Sequence, residues 1–560
     1  MPTKQGGTVL LEEATRAFNH KQNWDQLCQE VAHYFYPEKS DFTEDIYIGE
    51  EFADHIVDPS TIYMRRSLGE NFSTMLRSGE WFSIGVNDPD LMKFNPVRRK
   101  LDQMDRITRL VLYSTQSGFK RATSEGDHDF AAFGGTVISA NLNRLRNGVS
   151  FQTWHMRDCA WLEDREGNID RVYRKWHTTA GHVAEQFKNV PGARIPQHIQ
   201  QSVNDGNRDS KVTIYHCVRP VLEGDAYEPM RRYPPNTPFI SMYVDDESEI
   251  ILEQAEIEFP YVIPRWRLVR TWGAYPYSPA AITGLPLGRV LQRMMLTLLE
   301  AGEKSVDPPL IATSNVVSGP IDLASRAVTW IDDEYDERLG SAIRPLELGK
   351  NVPLGERMIV DVRAIQEEIW YLNRLQLPDT RSRTAYEVSQ IVQETARQAL
   401  PLFEPIQDLY NTALLENVVS KGLRLGWYGT PDSFPQEMGG QKIEYTYNNP
   451  LSAAIEQARV GQFQQTLEIV GGAAQLDQQA AINVDLNTAV RDSVSATGAP
   501  NEWLVPEQQV RQTIAQMQQQ IQAQQQLQQA QEAAGTVNEG AQAAMSVAQA
   551  EEALPAQEGV

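Results

Sequence analysis

Between residues 8 and 36, Leu10, Ala14, Phe18, Trp24 and Leu27 stand among polar residues at spacings that suit one face of a helix. Ile62, Met64, Leu68, Phe72 and Met75 repeat the pattern over 60–78, and residues 98–122 and 123–147 supply two more helical stretches, the latter broken at Gly134-Gly135. From 150 to 270 the period changes to two. FQTWHMRDCAWLED, a Gly167-Asn168 turn and IDRVYRKWHT predict strand, hairpin and strand, and KVTIYHCVRPV and PFISMYVDD predict further strands.

After Pro286 the helical period returns. Val290, Met294 and Leu298 lie at i, i+4 and i+8, and the double proline at 308–309 ends the run. Residues 310–350 read as short strands and turns, with an alternating AVTWI stretch followed by the acidic Asp332, Asp333 and Glu334. A second helix is predicted over 353–376, where Met358, Val362, Ile365, Ile369 and Leu372 form a narrow stripe suited to packing on another helix. Two amphipathic helices therefore bracket a small β-containing insert.

Pro378 stops the second helix, and Asp379, Thr380, Arg381, Ser382 and Arg383 make a polar loop without an apolar anchor. Thr384 and Glu387 form a capping box that opens a long helix reaching Leu423, which Pro401 and Pro405 must kink or interrupt. IEYTYNNP at 443–450 reads as a strand and its exit, and 451–494 as helical. From Glu507 glutamine dominates. Val510, Ile514, Met517 and Ile521 keep a coiled-coil-like spacing there, whereas 532–560 holds too little apolar surface to order itself.

Composition narrows the function. Hydrophobic residues make up 41% of the 560, enough for real cores. Asp plus Glu number 74 against 51 for Lys plus Arg, a net charge of −23, which argues against a broad DNA-coating surface. Cys28, Cys159 and Cys217 are too few and too scattered for a disulfide framework or a cysteine zinc site. The N-terminus lacks a secretory signal, and MMLTLL at 294–299 falls far short of the roughly 20 residues of a bilayer span. A soluble chain made inside a cell, with no direct membrane insertion, is expected.

Motifs for chemistry are missing. His177 and His182 lack the glutamate and the spacing of a zinc protease helix, and LGKNVPLG at 348–355 lacks the spacing of a phosphate loop. Strand alternation sets His155 and Cys159 on one face and Asp158 on the other. No catalytic residue, metal site or cofactor is expected. The basic pairs Arg65-Arg66, Arg98-Arg99 and Arg231-Arg232 are isolated, which leaves the loop with Arg381 and Arg383 as the compact basic feature.

This order of elements resembles that of viral portal proteins, and more closely the head-to-tail connectors of short-tailed, T7-like bacteriophages. The resemblance is carried by WRLVRTWGAYPYSPAAITGLPLGRVLQ at 266–292, KSVDPPL at 304–310, RTAYEVSQIVQE at 383–394 and NPLSAA at 449–454. It spans roughly residues 10–530, departing at Ala274 and Pro276, where relatives more often carry an acidic residue and a glycine. It implies an α+β, elongated, multi-domain subunit. Residues 1–270 would form a wing, 271–307 a first stem helix, 308–350 a small α/β clip and 351–378 a second stem helix. Residues 379–383 would be a tunnel loop facing DNA, 384–440 a long wing helix and turn region, 441–530 a helical crown and 531–560 a disordered tail.

It further implies a twelve-membered ring in the virion, at one capsid vertex, assembled from chains made in the host cytoplasm. The expected partners are further copies of the chain, the terminase large subunit, tail adaptor and tail proteins, major capsid and scaffolding proteins, internal core or ejection proteins, and double-stranded DNA passing without sequence readout. Two other classes stay open: a scaffold or adaptor of another large assembly, and a metal-dependent hydrolase using His and Asp residues of 128–182.

Overall fold

The computed structural model describes residues 4–47, 49–77, 79–88, 91–143, 147–188, 190, 192–220, 239–268, 274–306, 310–312, 343–345, 352–372 and 406–448. It also describes short helical pieces at 466, 470, 489–490, 510, 512–517 and 519–520. The chain divides between Ile455 and Glu456 into two units.

In the first unit, α1 (Lys4–Phe35) buries Leu10, Ala14, Ala17, Trp24, Cys28, Val31 and Phe35 along one face, as its apolar period requires. Its first half lies on a five-stranded antiparallel meander made of β4 (Cys159–Glu163), β5 (Ile169–Thr179), β6 (Lys211–Pro220), β7 (Phe239–Asp245) and β8 (Ile251–Ile257). Ala14 and Ala17 meet Tyr173, Tyr215 and Cys217 there, and Leu10 meets Ile240, Met242 and Val244. The short helices α5 (Ala180–Phe187) and α6 (Gln197–Asn204) build a separate apolar cluster with Ile214 and Leu252.

The second half of α1 joins the main core. That core also takes α2 (Ser60–Leu76), α3 (Asn95–Leu112), α4 (Phe119–Phe133) and α9 (Thr412–Leu425). Beside them runs a three-stranded sheet, β3 (Val149–Trp154), β2 (Val137–Leu142) and β9 (Tyr261–Val262). A two-stranded sheet pairs β1 (Phe82–Val86) with β12 (Ile443–Tyr447), from Phe82 opposite Tyr447 to Val86 opposite Ile443. The strand expected at 443–450 therefore belongs to the first unit.

The meander and the three-stranded sheet are joined by a buried polar chain. Arg174 Nε donates to the Tyr261 hydroxyl at 3.0 Å, and that hydroxyl lies 2.5 Å from His216 Nδ1. His216 Nε2 lies 2.7 Å from Ser241 Oγ. Since the Tyr261 oxygen already accepts from arginine, it donates to Nδ1, which leaves the Nε2 proton for Ser241. This holds the imidazole neutral. Burial, and then the Arg174 charge, push its pKa well below the ordinary 6.5.

Two helical expectations are corrected. The stretch 98–122 is divided by Gly118, which takes the left-handed conformation (φ 64°) between α3 and α4. The stretch 123–147 ends as a helix at Phe133, and Val137–Leu142 is a strand. Gly134 closes α4 at φ 80°, and a Cβ there would stand 2.6 Å from the Tyr277 carbonyl carbon, so only glycine fits. The strand that follows is central to its sheet and its first four residues are buried, so it carries little of the period-two signature. Among the described residues, no helix is long and apolar enough to cross a membrane.

Because His216 is held neutral in the folded state, the stability it contributes is present above pH 6.5 and is lost as pH falls below that value. In denaturant titrations of the full chain from pH 7 to 5, wild type minus His216→Gln should show this as a slope approaching about 1.4 kcal/mol per pH unit; Asp105 and Asp127, both raised to about 6, contribute the opposite sign to either chain alone. His216→Gln should remove that component; an unchanged slope would mean the imidazole is already charged.

Candidate functional site: a rooted helix pair

Helix α7 (Leu285–Val306) and helix α8 (Val352–Ile369) pack against each other and bracket a strand pair, β10 (Leu310–Ala312) with β11 (Ile343–Pro345). This is the helix–insert–helix arrangement expected from the apolar spacing. The AVTWI stretch and the acidic 332–334 run lie outside the described residues.

The start of α7 is shaped by proline. Pro286 has no N–H to return to the carbonyl four residues back. The turn before it, Ala280–Gly284, is a π-helix in which Leu285 N–H reaches Ala280 O. Ser278 fixes that turn: its hydroxyl donates to Ala132 O at 2.6 Å and accepts from Ala281 N–H at 3.1 Å. Gly288 then lets α7 settle on Phe35, whose Cζ would be 3.0 Å from a Cβ at that position. A side chain at this position would press on the Phe35 ring, which would have to give by a few tenths of an ångström.

Three cross-links root both helices. The buried Asp58 carboxylate accepts from Arg363 Nε (3.1 Å) and a terminal guanidinium nitrogen (3.0 Å) on α8, and from the Ser60 N–H (2.9 Å) at the start of α2. On α7, Gln292 Oε1 accepts from the N–H groups of Val57 and Asp58, and its Nε2 donates to Asp58 O at 2.7 Å. Gln366 Nε2 donates to Gly284 O at 2.9 Å. Arg289 and Glu30 add an ion pair between α7 and α1.

The eight stem residues named from sequence divide between two surfaces. Leu298 faces the partner helix, its Cδ1 lying where a Cβ on Gly355 would be 3.1 Å away, and Met294 is half-buried beside it. Val290 is exposed. On α8, Val362 and Ile369 are half-buried, while Met358 is 50% exposed and Ile365 48%, so the stripe lies open to a further helix. Exposed Leu354 extends it by one turn.

Leu372 departs from that stripe. The helix expected to 376 is interrupted after Ile369, where Tyr371 takes the left-handed conformation at φ 57°; Leu372 is helical again and 373–376 lie outside the described residues. Trp370 is fully buried with its ring 5.2 Å from that of Phe35, and Leu372 packs on the main core. A buried tryptophan thus marks an interruption of the helix, and nothing in the period of the apolar residues signals it. Asp379, Thr380, Arg381, Ser382, Arg383, Thr384 and Glu387 lie outside the described residues.

A cleft of about 400 Å³ opens on the other side of α1, lined by Phe18, Asp25, Arg157, Asp158, Lys175 and His177 among others. The residues Met156–Asp158 form a tight 3-10 turn between β3 and β4, so the simple alternation expected across His155, Asp158 and Cys159 does not hold. His155 Nε2 lies 2.8 Å from Asp41, and His177 lies 3.8 Å from Asp158. The Cys159 thiol is buried, and its pKa is pushed up to about 12 by desolvation. Among the described residues no three His, Cys, Asp or Glu side chains are grouped to hold a metal ion. The charges of the cleft bind one another: Arg157 pairs with Asp41, Asp45 and Asp158.

The family described as bacteriophage head to tail connecting protein matches residues 9–505 of this chain. The portal protein of Salmonella phage epsilon15 is 21% identical over 516 residues, covering 90% of this chain and 89% of the relative.

Removing the Asp58 carboxylate should leave Arg363 and the Ser60 N–H without their partner. Asp58→Ala is expected to lower the unfolding free energy by about 2–4 kcal/mol. Asp58→Asn, which keeps an acceptor, should cost less. Chemical denaturation of the full chain checks both, and an Asp58→Asn chain as stable as wild type would argue against a role for the charge at this node.

Proposed function

We propose that this chain, which belongs to the family of bacteriophage head to tail connecting proteins, is the subunit of a portal ring at one vertex of a short-tailed phage capsid. Twelve copies would close around a passage for double-stranded DNA. The observation that carries the reading is the exposed apolar stripe of Leu354, Met358 and Ile365, without a partner among the described residues, on a helix pair rooted in a large folded unit. An exposed stripe of this kind is satisfied by another helix, and a head-to-tail contact repeated around a closed ring leaves no copy unpartnered.

In this reading, the unit holding α1 to α6 and the sheets is the wing, α7 and α8 are the stem, and 308–350 is the clip that meets the terminase large subunit and later the tail adaptor and tail proteins. Major capsid, scaffolding and internal core or ejection proteins would contact the rest of the ring. A net charge of −23 per copy favours a passage that duplex phosphates cross without adhering. Arg381 and Arg383 would then act as a weak electrostatic brake at the passage wall, through phosphates and not base edges. ATP hydrolysis would belong to the terminase.

Native mass spectrometry and electron microscopy of the purified full chain should find a twelve-membered ring with a central hole. Met358→Asp with Ile365→Asp should give folded monomers, since each ring contact would bury two carboxylates, each costing more than the roughly 2–7 kcal/mol of an unpaired neutral polar group. A wild-type chain that stays monomeric, or a doubly substituted one that still closes rings, would sink the reading.

Arg381→Ala with Arg383→Ala should leave ring formation intact and change retention or ejection of packaged DNA, with an effect that shrinks at high salt. Unchanged packaging, retention and ejection would remove the loop from the mechanism.

A further inference from the structure

The cross-links that root the two helices also set their relative height. Gly284 lies opposite Gln366, Gln292 shares Asp58 with Arg363, and Leu298 lies against Gly355. By this antiparallel alignment Arg293 stands level with Asp361 and Leu296 with Arg357 and Met358. Glu300 falls about one turn beyond Arg357, toward the insert.

At 3.6 residues per turn, the face of α7 turned away from α8 carries Arg289, Arg293, Leu296, Glu300 and Glu303. The face of α8 turned away from α7 carries Leu354, Arg357, Asp361 and Glu368. All of these side chains are exposed, and apart from Arg289 none forms an ion pair with another described residue. The charge order runs in opposite senses on the two faces. On α7 it is basic near the wing and acidic near the insert; on α8 it is acidic near the wing and basic near the insert.

We infer that the outer face of α7 in one copy docks on the outer face of α8 in the next, with Arg293 paired to Asp361, Glu300 to Arg357, and Leu296 set against Leu354 and Met358. This assignment rests on the ring reading. A cyclic ring keeps every copy the same way up. With that orientation, α7 against α7 would bring arginine onto arginine, and α8 against α8 would bring Asp361 onto Asp361. The mixed contact opposes unlike charges, Arg293 to Asp361 at one height and Glu300 to Arg357 across about one turn, while covering Leu296 of α7 and the apolar stripe of α8.

The test is a charge exchange in the full chain, read as the fraction in rings by native mass spectrometry, with circular dichroism confirming the fold. Arg293→Glu and Asp361→Arg should each lower that fraction on the order of tenfold, because like charges then meet at every contact. The doubly exchanged chain should recover to within about twofold of wild type. Single substitutions that assemble like wild type, or a double no better than its worse parent, would overturn the pairing while leaving the ring in place. A wild-type chain that forms no ring would overturn both.

Discussion

The buried carboxylate of Asp58 is the constraint on which the helix pair depends. A charge taken out of water must be matched by donors held in place, or its desolvation destabilises the fold. Here the donors come from α8 and the start of α2, and Gln292 of α7 grips the backbone of the same residue. Because one residue is satisfied from three helices, none of the three can slide without leaving a buried polar group unpaired. Apolar contacts alone, such as Phe35 against Gly288 and Trp370, would resist separation but tolerate rotation. The polar node supplies direction to a contact whose strength is hydrophobic.

A second polar device serves the platform behind it. The chain from Arg174 through Tyr261 and His216 to Ser241 ties the meander to the three-stranded sheet. Trp154 stacks over the Arg174 guanidinium at 3.7 Å while its indole N–H donates to Ser139 Oγ at 2.8 Å, so a strand of the second sheet shares in the same joint. Both sheets bear on α1 or its neighbours in the core, and α1 in turn carries Phe35 to the root of α7. Force applied to the helix pair would therefore pass into a body built from two cross-braced sheets.

Much of this was legible in the apolar spacing. The two amphipathic helices and the strand-bearing insert follow from where Val290, Met294 and Leu298, and then Met358, Val362, Ile365 and Ile369, fall in the chain. The hairpin at Gly167-Asn168 was equally plain, since glycine there takes φ 86°. Other features are decided by partners distant in sequence. FSIGV is too short to announce a strand until IEYTY pairs with it. VISANL reads as helix because it is buried on both faces. The break after Ile369 coincides with the burial of Trp370 against Phe35, which local periodicity does not encode. Asp58 itself gave no signal, as an aspartate two residues before a serine reads as a turn, and its burial becomes visible only when Gln292 and Arg363 arrive from the far side of the chain.

The same physics reconciles a strongly acidic chain with close association. At physiological ionic strength charges are screened over about 8 Å, so distant carboxylates on neighbouring copies hardly sense one another. What decides association is the local balance where surfaces touch. On the outer faces of α7 and α8 that balance is nearly even: Arg289, Arg293 and Arg357 stand against Glu300, Glu303, Asp361 and Glu368. Most of the net charge of −23 therefore sits elsewhere on the subunit, where it would not oppose the proposed contact. In the proposed ring, an acidic body with charge-balanced helices would meet two demands that otherwise conflict, binding to itself while repelling nucleic acid.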